Sequence, residues 1–387
     1  MNEPIYLDNN ATTKVAPEVI DAMKPYLHEL WGNPSSPYNH GNQVRRAIDK
    51  ARVQVASLIG AEDPNEIIFT SGGSESNNMA LNSGIQTLGN DAVIISSPTE
   101  HSAILSPIEE IQKRDHKIVW LSVNSSGNLT LDGLEECIKK YPNSLTSIMW
   151  ANNETGVISP INEIIDIVKT DDNLFHTDAV QAIGKIPIDV SSLNIDMLSF
   201  SGHKIYGPKG IGVLYVRRGT RVHSLIHGGH QERGRRGGTE NVLGIVGIGK
   251  ACEVTQEQMG DDIKRISLLR DKLEQGLLTS CAGALLNGDK VNRLPNTTNI
   301  SFEHLDGEAI LFMLDDQGIC VSTGSACESG SLEASHVLKS MEISRSMING
   351  AIRFSLGRFS TEDDVDRVLT ELPNIIKKCR ELAPHIK

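Results

Sequence analysis

The sequence predicts an α/β fold, in which a large domain on a mostly parallel sheet is followed by a smaller α+β domain. Three observations predict it. Short apolar runs of strand length recur through the first two thirds of the chain. Amphipathic segments separate several of them, an alternation that builds parallel sheets with helical crossovers. From about residue 258 the pattern changes to long helices and scattered strands, which marks a second unit.

The strand-like runs are 66–70 (EIIFT), 92–96 (AVIIS), 118–123 (IVWLSV), 146–150 (TSIMW), 174–178 (LFHTD), 196–200 (DMLSF) and 211–216. Residues 103–115 and 160–169 have helical periodicity. Beyond them come a charged helix over 261–278, a strand at 297–302 (TTNISF), a helix over 308–317, a strand near IRFSL and a terminal helix from residue 362. Ligands of such a sheet gather where strands end and loops converge.

At 387 residues, 39% hydrophobic and 22% charged, the chain can bury one large core and a second, smaller one. A formal charge of −12 argues against non-specific nucleic-acid binding and fits a protein that handles small molecules. The start MNEPIYLDNN lacks the charged and apolar regions of a signal peptide. No run approaches the roughly 18 apolar residues of a membrane span, so the expected location is the cytoplasm, away from membranes. Six cysteines, at 137, 252, 281, 320, 327 and 379, form no CxxC pair, which points away from a structural zinc site or a disulfide scaffold. Cys327 stands apart in STGSACESGS, a small and polar run that reads as an exposed loop. An exposed thiol in a reducing compartment invites a chemical role.

The segment SGHKIYGPKGIG sets Lys204 on a loop directly after a buried strand, among Ser201, Gly202 and His203. A lysine there is a solvated turn charge or a covalent anchor for an aldehyde cofactor such as pyridoxal phosphate. Strand EIIFT runs into Ser71-Gly72-Gly73-Ser74 and then a helical pattern. Glycines before a helix N-terminus make a phosphate site, with Gly73 allowing close approach and Ser74 adding a hydroxyl, or else an ordinary capped turn. A nucleotide site is disfavoured, because Pro208 stands where a P-loop lysine belongs.

Asp178 ends strand LFHTD and Gln181 follows three residues later. The carboxylate suits a pyridinium nitrogen, and it equally suits the N-cap of a helix starting at Ala179. His101, in PTEHS, sits at a strand-to-helix junction where it can stack on a ring, move protons or serve structure alone. Asn152, in ANNETG, is placed to reach a cofactor oxygen or the substrate, or to shape its own turn.

Taken together, YLDNNATT, GNPSS, SGGSESNN, Thr99-Glu100-His101, ANNETG, SGHKIYGPKG, GGHQERGRRGGTEN, SGSAC and RFSLGR resemble the motifs of the NifS/IscS-type cysteine desulfurases. The resemblance spans nearly the whole chain, and GRRGGTEN and GSACESGSLEASHV look closer to NifS than to IscS. It implies a pyridoxal phosphate-dependent transferase fold of the aspartate aminotransferase type. The large domain is placed at 15–257 and the small domain at 1–14 with 258–387, the latter carrying the Cys327 loop.

The resemblance also implies roles. Lys204 becomes the cofactor-linked lysine, His101 the ring-stacking and proton-moving residue, and Asp178 the partner of the pyridine nitrogen. Gln181 and Asn152 address the phenolic oxygen side, with Asn152 also near the substrate. Gly73, Ser74, Ser201 and His203 bind phosphate, and Thr239 reaches the phosphate of the other subunit in a homodimer. The family usually has threonine at the position of Ser74. Arg353 holds the substrate carboxylate with its bidentate fork. The substrate is L-cysteine, whose sulfur passes to Cys327 as a persulfide while L-alanine leaves. The implied acceptor is an iron–sulfur scaffold of the NifU/IscU kind. Alternatives are a selenocysteine lyase, a fold-related aminotransferase, or an assembly protein using Cys327 as an iron–sulfur ligand shared with its partner. The cluster Arg233, Arg235 and Arg236 reads as a dimer contact, an acidic-partner surface or a solvated patch.

Overall fold

The computed structural model describes residues 3–169, 173–323 and 334–382. After a two-residue strand β1 (Ile5–Tyr6), the central sheet is built from β2 (Ile67–Thr70), β3 (Val93–Ser96), β4 (Lys117–Trp120), β5 (Ser144–Ser147), β6 (Leu174–Asp178), β7 (Met197–Ser201) and β8 (Gly212–Val216). Among the described residues its order is β2-β8-β7-β6-β5-β3-β4. Pairing is parallel from β4 through β7, and β8 alone runs against the others, antiparallel to both β7 and β2. Both faces are covered. Ile67, Phe69, Val213 and Tyr215 enter the core shared with the helices Asn39–Ile59 and Ile161–Val168, while Ile68, Leu214 and Val216 pack with Met79, Leu81 and Ile104 on the opposite face. Burial on two faces is why these strands read as unbroken apolar runs.

Two strands are shifted from their expected places. The run 118–123 becomes β4 at Lys117–Trp120, and 146–150 becomes β5 at Ser144–Ser147. The cause of the second shift is visible in the neighbours. β3 ends at Ser96, so beyond Ser147 the chain keeps a strand partner on one side only, through Ile148 N–H and Trp150 N–H donated to β6. The Met149 N–H, on the other side, is taken by the Glu100 carboxyl at 2.7 Å.

The helix Val242–Ser280 runs unbroken for 39 residues, so the expected 257/258 boundary and the expected helix start at 261 both fall inside it. Ile245, Ile248 and Ala251 lie in the first core, and Ile266, Leu269, Leu273 and Leu277 in the second. Glycines in its N-terminal half weaken helix propensity, which hid this half from the pattern. Packing explains one of them, because a Cβ on Gly249 would lie 2.6 Å from Ala51 Cα of the neighbouring helix. The second core is faced by an antiparallel sheet of β9 (Ala284–Asn287), β10 (Thr297–Phe302), β12 (Ser322–Thr323) and β13 (Ala351–Ser355), in the order β12-β13-β10-β9, while β11 (Ile319–Cys320) pairs with β1. Leu7 packs into this core, and Ser355 N–H donates to Leu7 O.

A buried ion pair ties the arginine-rich loop to the sheet. Arg52 meets Glu232 in a fork of 2.6 and 2.8 Å, Arg52 also donates to Ile67 O, and Phe69 N–H donates to Glu232. The two side chains are 8% and 4% exposed. Removing one partner of such a pair strands a buried charge. Glu232→Ala is therefore expected to lower unfolding free energy by about 3 kcal/mol in urea titration. Glu135→Ala, which breaks an exposed pair with Lys139, should change it by less than about 1 kcal/mol.

Candidate active site

Because β2, β3, β5, β6 and β7 point the same way, the segments that follow them emerge on one edge of the sheet. Ser71–Ser74 follows β2, Thr99–His101 follows β3, Asn152 lies in the loop after β5, Asp178 closes β6, and Lys204 ends the 3-10 turn directly after β7. The sequence positions that looked like scattered candidates thus share one rim.

Lys204 is half-buried, and its amine donates to the carbonyls of Asn10 and Ala11, the latter at 2.7 Å. Asn10 O also accepts from Gln181 Nε2 at 3.0 Å. Asp178 is 5% exposed, accepts from Asn77 Nδ2 at 2.6 Å, and accepts the Val180 N–H at 2.9 Å. The second contact is a local turn bond. No regular helix starts at Ala179, where the chain makes turns instead, so the N-cap reading of Asp178 does not hold.

An open pocket at this rim is lined by Ser71, Gly73, Ser74, Ser201, His203 and Lys209 among others. The helix Gly73–Leu88 points its N-terminus into it, and its N-cap Gly72 offers no side-chain cap, which leaves first-turn N–H groups for an anion. A Cβ on Gly73 would come within 2.9 Å of Val180 Cγ2, so the turn after Asp178 and this helix start are packed tightly together. Lys209, which the sequence reading missed, adds a cation; its signal was the second lysine of SGHKIYGPKG.

His101 caps the helix Ser102–Gln112, its Nδ1 accepting the Ala103 N–H at 3.0 Å. A neutral ring that accepts at Nδ1 carries its proton on Nε2. Burial lowers its pKa, an effect opposed by Asp178 and reinforced by Lys204, His336 and Arg353. Beside it Glu100 is fully buried, with Oε1 on Met149 N–H and no partner for Oε2 among the described residues. Burial, with a further push from the charge of Asp178, raises this carboxyl well above the usual range. His203 bonds Thr12 Oγ1 at 3.1 Å, and burial together with Lys204, Lys209 and Lys185 brings its pKa down to about 4.

The remaining candidates divide. Arg353 is only 1% exposed rather than a surface charge; it donates to Asp8 Oδ1 at 2.7 Å and Asn153 O at 3.0 Å. Asn152 shapes its own loop, accepting from Glu154 and Thr155 N–H and donating to Thr99 O. Ser201 Oγ reaches Ile211 O at 3.4 Å. Thr239 is exposed and is not among the residues lining the phosphate-type pocket of its own chain. Within the arginine cluster Arg233 is exposed, while Arg235 and Arg236 are half-buried. Arg236 forks onto Glu75, Arg235 reaches Asn65 O, and Arg233 meets Asn65 Oδ1. Cys327 lies outside the described residues.

A lysine amine, a buried carboxylate and an uncapped helix start on one rim fit pyridoxal phosphate: an amine for the aldehyde, an anion for the ring nitrogen and N–H donors for the phosphate. Comparison with known proteins agrees. The aminotransferase class-V family matches residues 5–368, and the chain belongs to that family. It is 51% identical over 380 residues to a cysteine desulfurase of Nostoc sp., covering 98% of this chain and 94% of the relative. It is 46% identical over 381 residues to the cysteine desulfurase NifS of Azotobacter vinelandii, with 98% and 94% covered. A solved structure described as a NifS-like protein superposes with a TM-score of 0.91 at 39% identity, covering 97% of this chain and all of that one.

The low pKa of His203 has a sign that can be checked. Above its folded value the ring is neutral, so it should take up no proton until the pH falls well below the ~6.5 of a free histidine. In a histidine NMR titration its resonances should stay at neutral positions from pH 8 down to roughly 5 and move only towards about 4.

Proposed function

We propose that the protein is a pyridoxal phosphate-dependent cysteine desulfurase. It converts L-cysteine to L-alanine and holds the sulfur as a persulfide on Cys327. The observation that carries this reading is the Lys204 amine beside Asp178, His101 and the uncapped helix start, in a chain whose relatives are named cysteine desulfurases. The bound cofactor supplies the electron sink that the bond-breaking needs.

The chain's residues then have these tasks. Lys204 would anchor the cofactor through Nζ, and the same atom, when free, would accept the substrate α proton. Asp178, held by Asn77, would pair with the ring nitrogen and favour its protonated form. His101, whose Nδ1 accepts the Ala103 N–H and so leaves the proton on Nε2, would stack on the ring, and Gln181 and Asn152 would address the phenolic oxygen. Gly73, Ser74, Ser201 and His203 hold the phosphate, and Thr239 contributes from the other subunit of a homodimer. Arg353 receives the substrate carboxylate, which must share or replace its present pair with Asp8. The Cys327 thiolate attacks the substrate sulfur, an S–S bond forms as the C–S bond breaks, and L-alanine leaves. Among the described residues no helix is long and apolar enough to cross a membrane. We place the enzyme in the cytoplasm, passing sulfur to an iron–sulfur scaffold of the NifU/IscU kind.

Lys204→Ala should abolish the borohydride-stable link between protein and cofactor, read by mass spectrometry; a link found on another residue refutes the assignment. Incubation with L-cysteine and a thiol reductant should release sulfide and alanine in equal amounts. Cys327→Ala should keep the bound-cofactor spectrum and lose sulfide release, and retained turnover would favour an activity that needs no thiol.

A further inference from the structure

We propose that Lys185 is a positioning residue for Lys204, acting through Gln181 and Asn10. The proposal rests on the reading of Lys204 as the cofactor-linked lysine. Lys185 Nζ donates to Gln181 Oε1 at 2.6 Å and to Asn10 Oδ1 at 3.0 Å. That contact fixes which way the Gln181 amide faces, so that its Nε2 donates to Asn10 O, the same carbonyl that takes the Lys204 amine. Asn10 is 2% exposed; its N–H and Nδ2 donate to Ser355, Asn153 and Thr297, and its Oδ1 accepts from Asn296 as well as from Lys185. Lys185 and Lys204 also line one narrow crevice, with Asn296, Thr255, Tyr206 and Asp262.

The chemistry of Lys185 is unusual for a structural lysine. Among the described residues its partners are two amide oxygens and no carboxylate. Burial, and then the charges of Lys204 and Arg353, hold its amine well below the usual lysine range. That shift favours the neutral amine, which still donates while reducing the positive charge beside a lysine that must itself lose a proton to react. Among the described residues the ionisable groups that act on one another here are Lys185, Lys204, Lys209, His101, His203, His336, Arg353, Asp178 and Glu100, with Asp262 in the crevice. Asn10 O and Ala11 O accept from Lys204, which favours its protonated form. Loosening Asn10 should therefore lower the pH at which Lys204 becomes reactive.

The test uses the full chain stripped of cofactor. Pyridoxal phosphate is added across a pH series, the rate of covalent link formation is followed by absorbance, and borohydride then locates the link. In Lys185→Met the pH midpoint of that rate should fall by about one unit, a tenfold change in the amine equilibrium, with the thermal unfolding midpoint near that of the wild type. Lys185→Gln, which keeps a donor, should recover part of the shift. A purely structural role would lower the unfolding midpoint and leave the pH midpoint in place, and that result would overturn the proposal. Labelling at Lys204 in the wild type with an unmoved midpoint in Lys185→Met removes only the role of Lys185. Labelling elsewhere in the wild type removes the Lys204 assignment and this proposal with it.

Discussion

The parallel run of β2, β3, β5, β6 and β7 is the constraint on which the site depends. Parallel neighbours must each be followed by a crossover on the sheet's faces, so their C-terminal ends fall on one edge. Residues from 71 to 204 are brought to that edge by strand direction alone. The polar line across the sheet interior is consistent with this register. His176 on β6 lies 2.9 Å from both Ser147 of β5 and Ser199 of β7, and its pKa falls to about 3 through burial. The ring is therefore a neutral bridge between strands.

Asn10 is the second organising element. It comes from the N-terminal segment, which pairs with β13 and joins the second core through Leu7, yet its side chain and backbone reach Lys185, Gln181 and Lys204 on the central-sheet side. Every polar atom of a buried asparagine needs a partner, and here those partners come from both cores. The geometry around the Lys204 amine is thus set by the way the two cores meet as well as by β7. Arg353, on β13 of the small sheet, bonds Asn153 in the loop after β5 of the large one and repeats the same logic.

Electrostatics at the rim follow burial more than net charge. The chain carries −12 overall, but the rim collects Lys204, Lys209 and Arg353 beside Asp178 and the buried Glu100, whose carboxyl pKa burial raises. His101 and His203 sit among these cations, so their rings remain neutral. A phosphate would complete the balance.

The sequence by itself determined the strands, because burial on both faces writes apolar runs directly into the chain, and it determined the chemistry-bearing residues at their ends, because Asp178 closes such a run and Gly72-Gly73 and Lys204 follow one. Strand ends drifted, as at 146–150, where the partner's length and the Glu100 carboxyl decide the boundary and neither is a local property. The N-terminal half of the helix Val242–Ser280 was hidden by glycines, of which Gly249 is required by contact with another helix. Asp8, Asn10, Asn77 and Lys185 were also missed as individual residues. Their roles arise from contacts across about 100 to 345 positions of sequence, a pairing that only the tertiary structure decides.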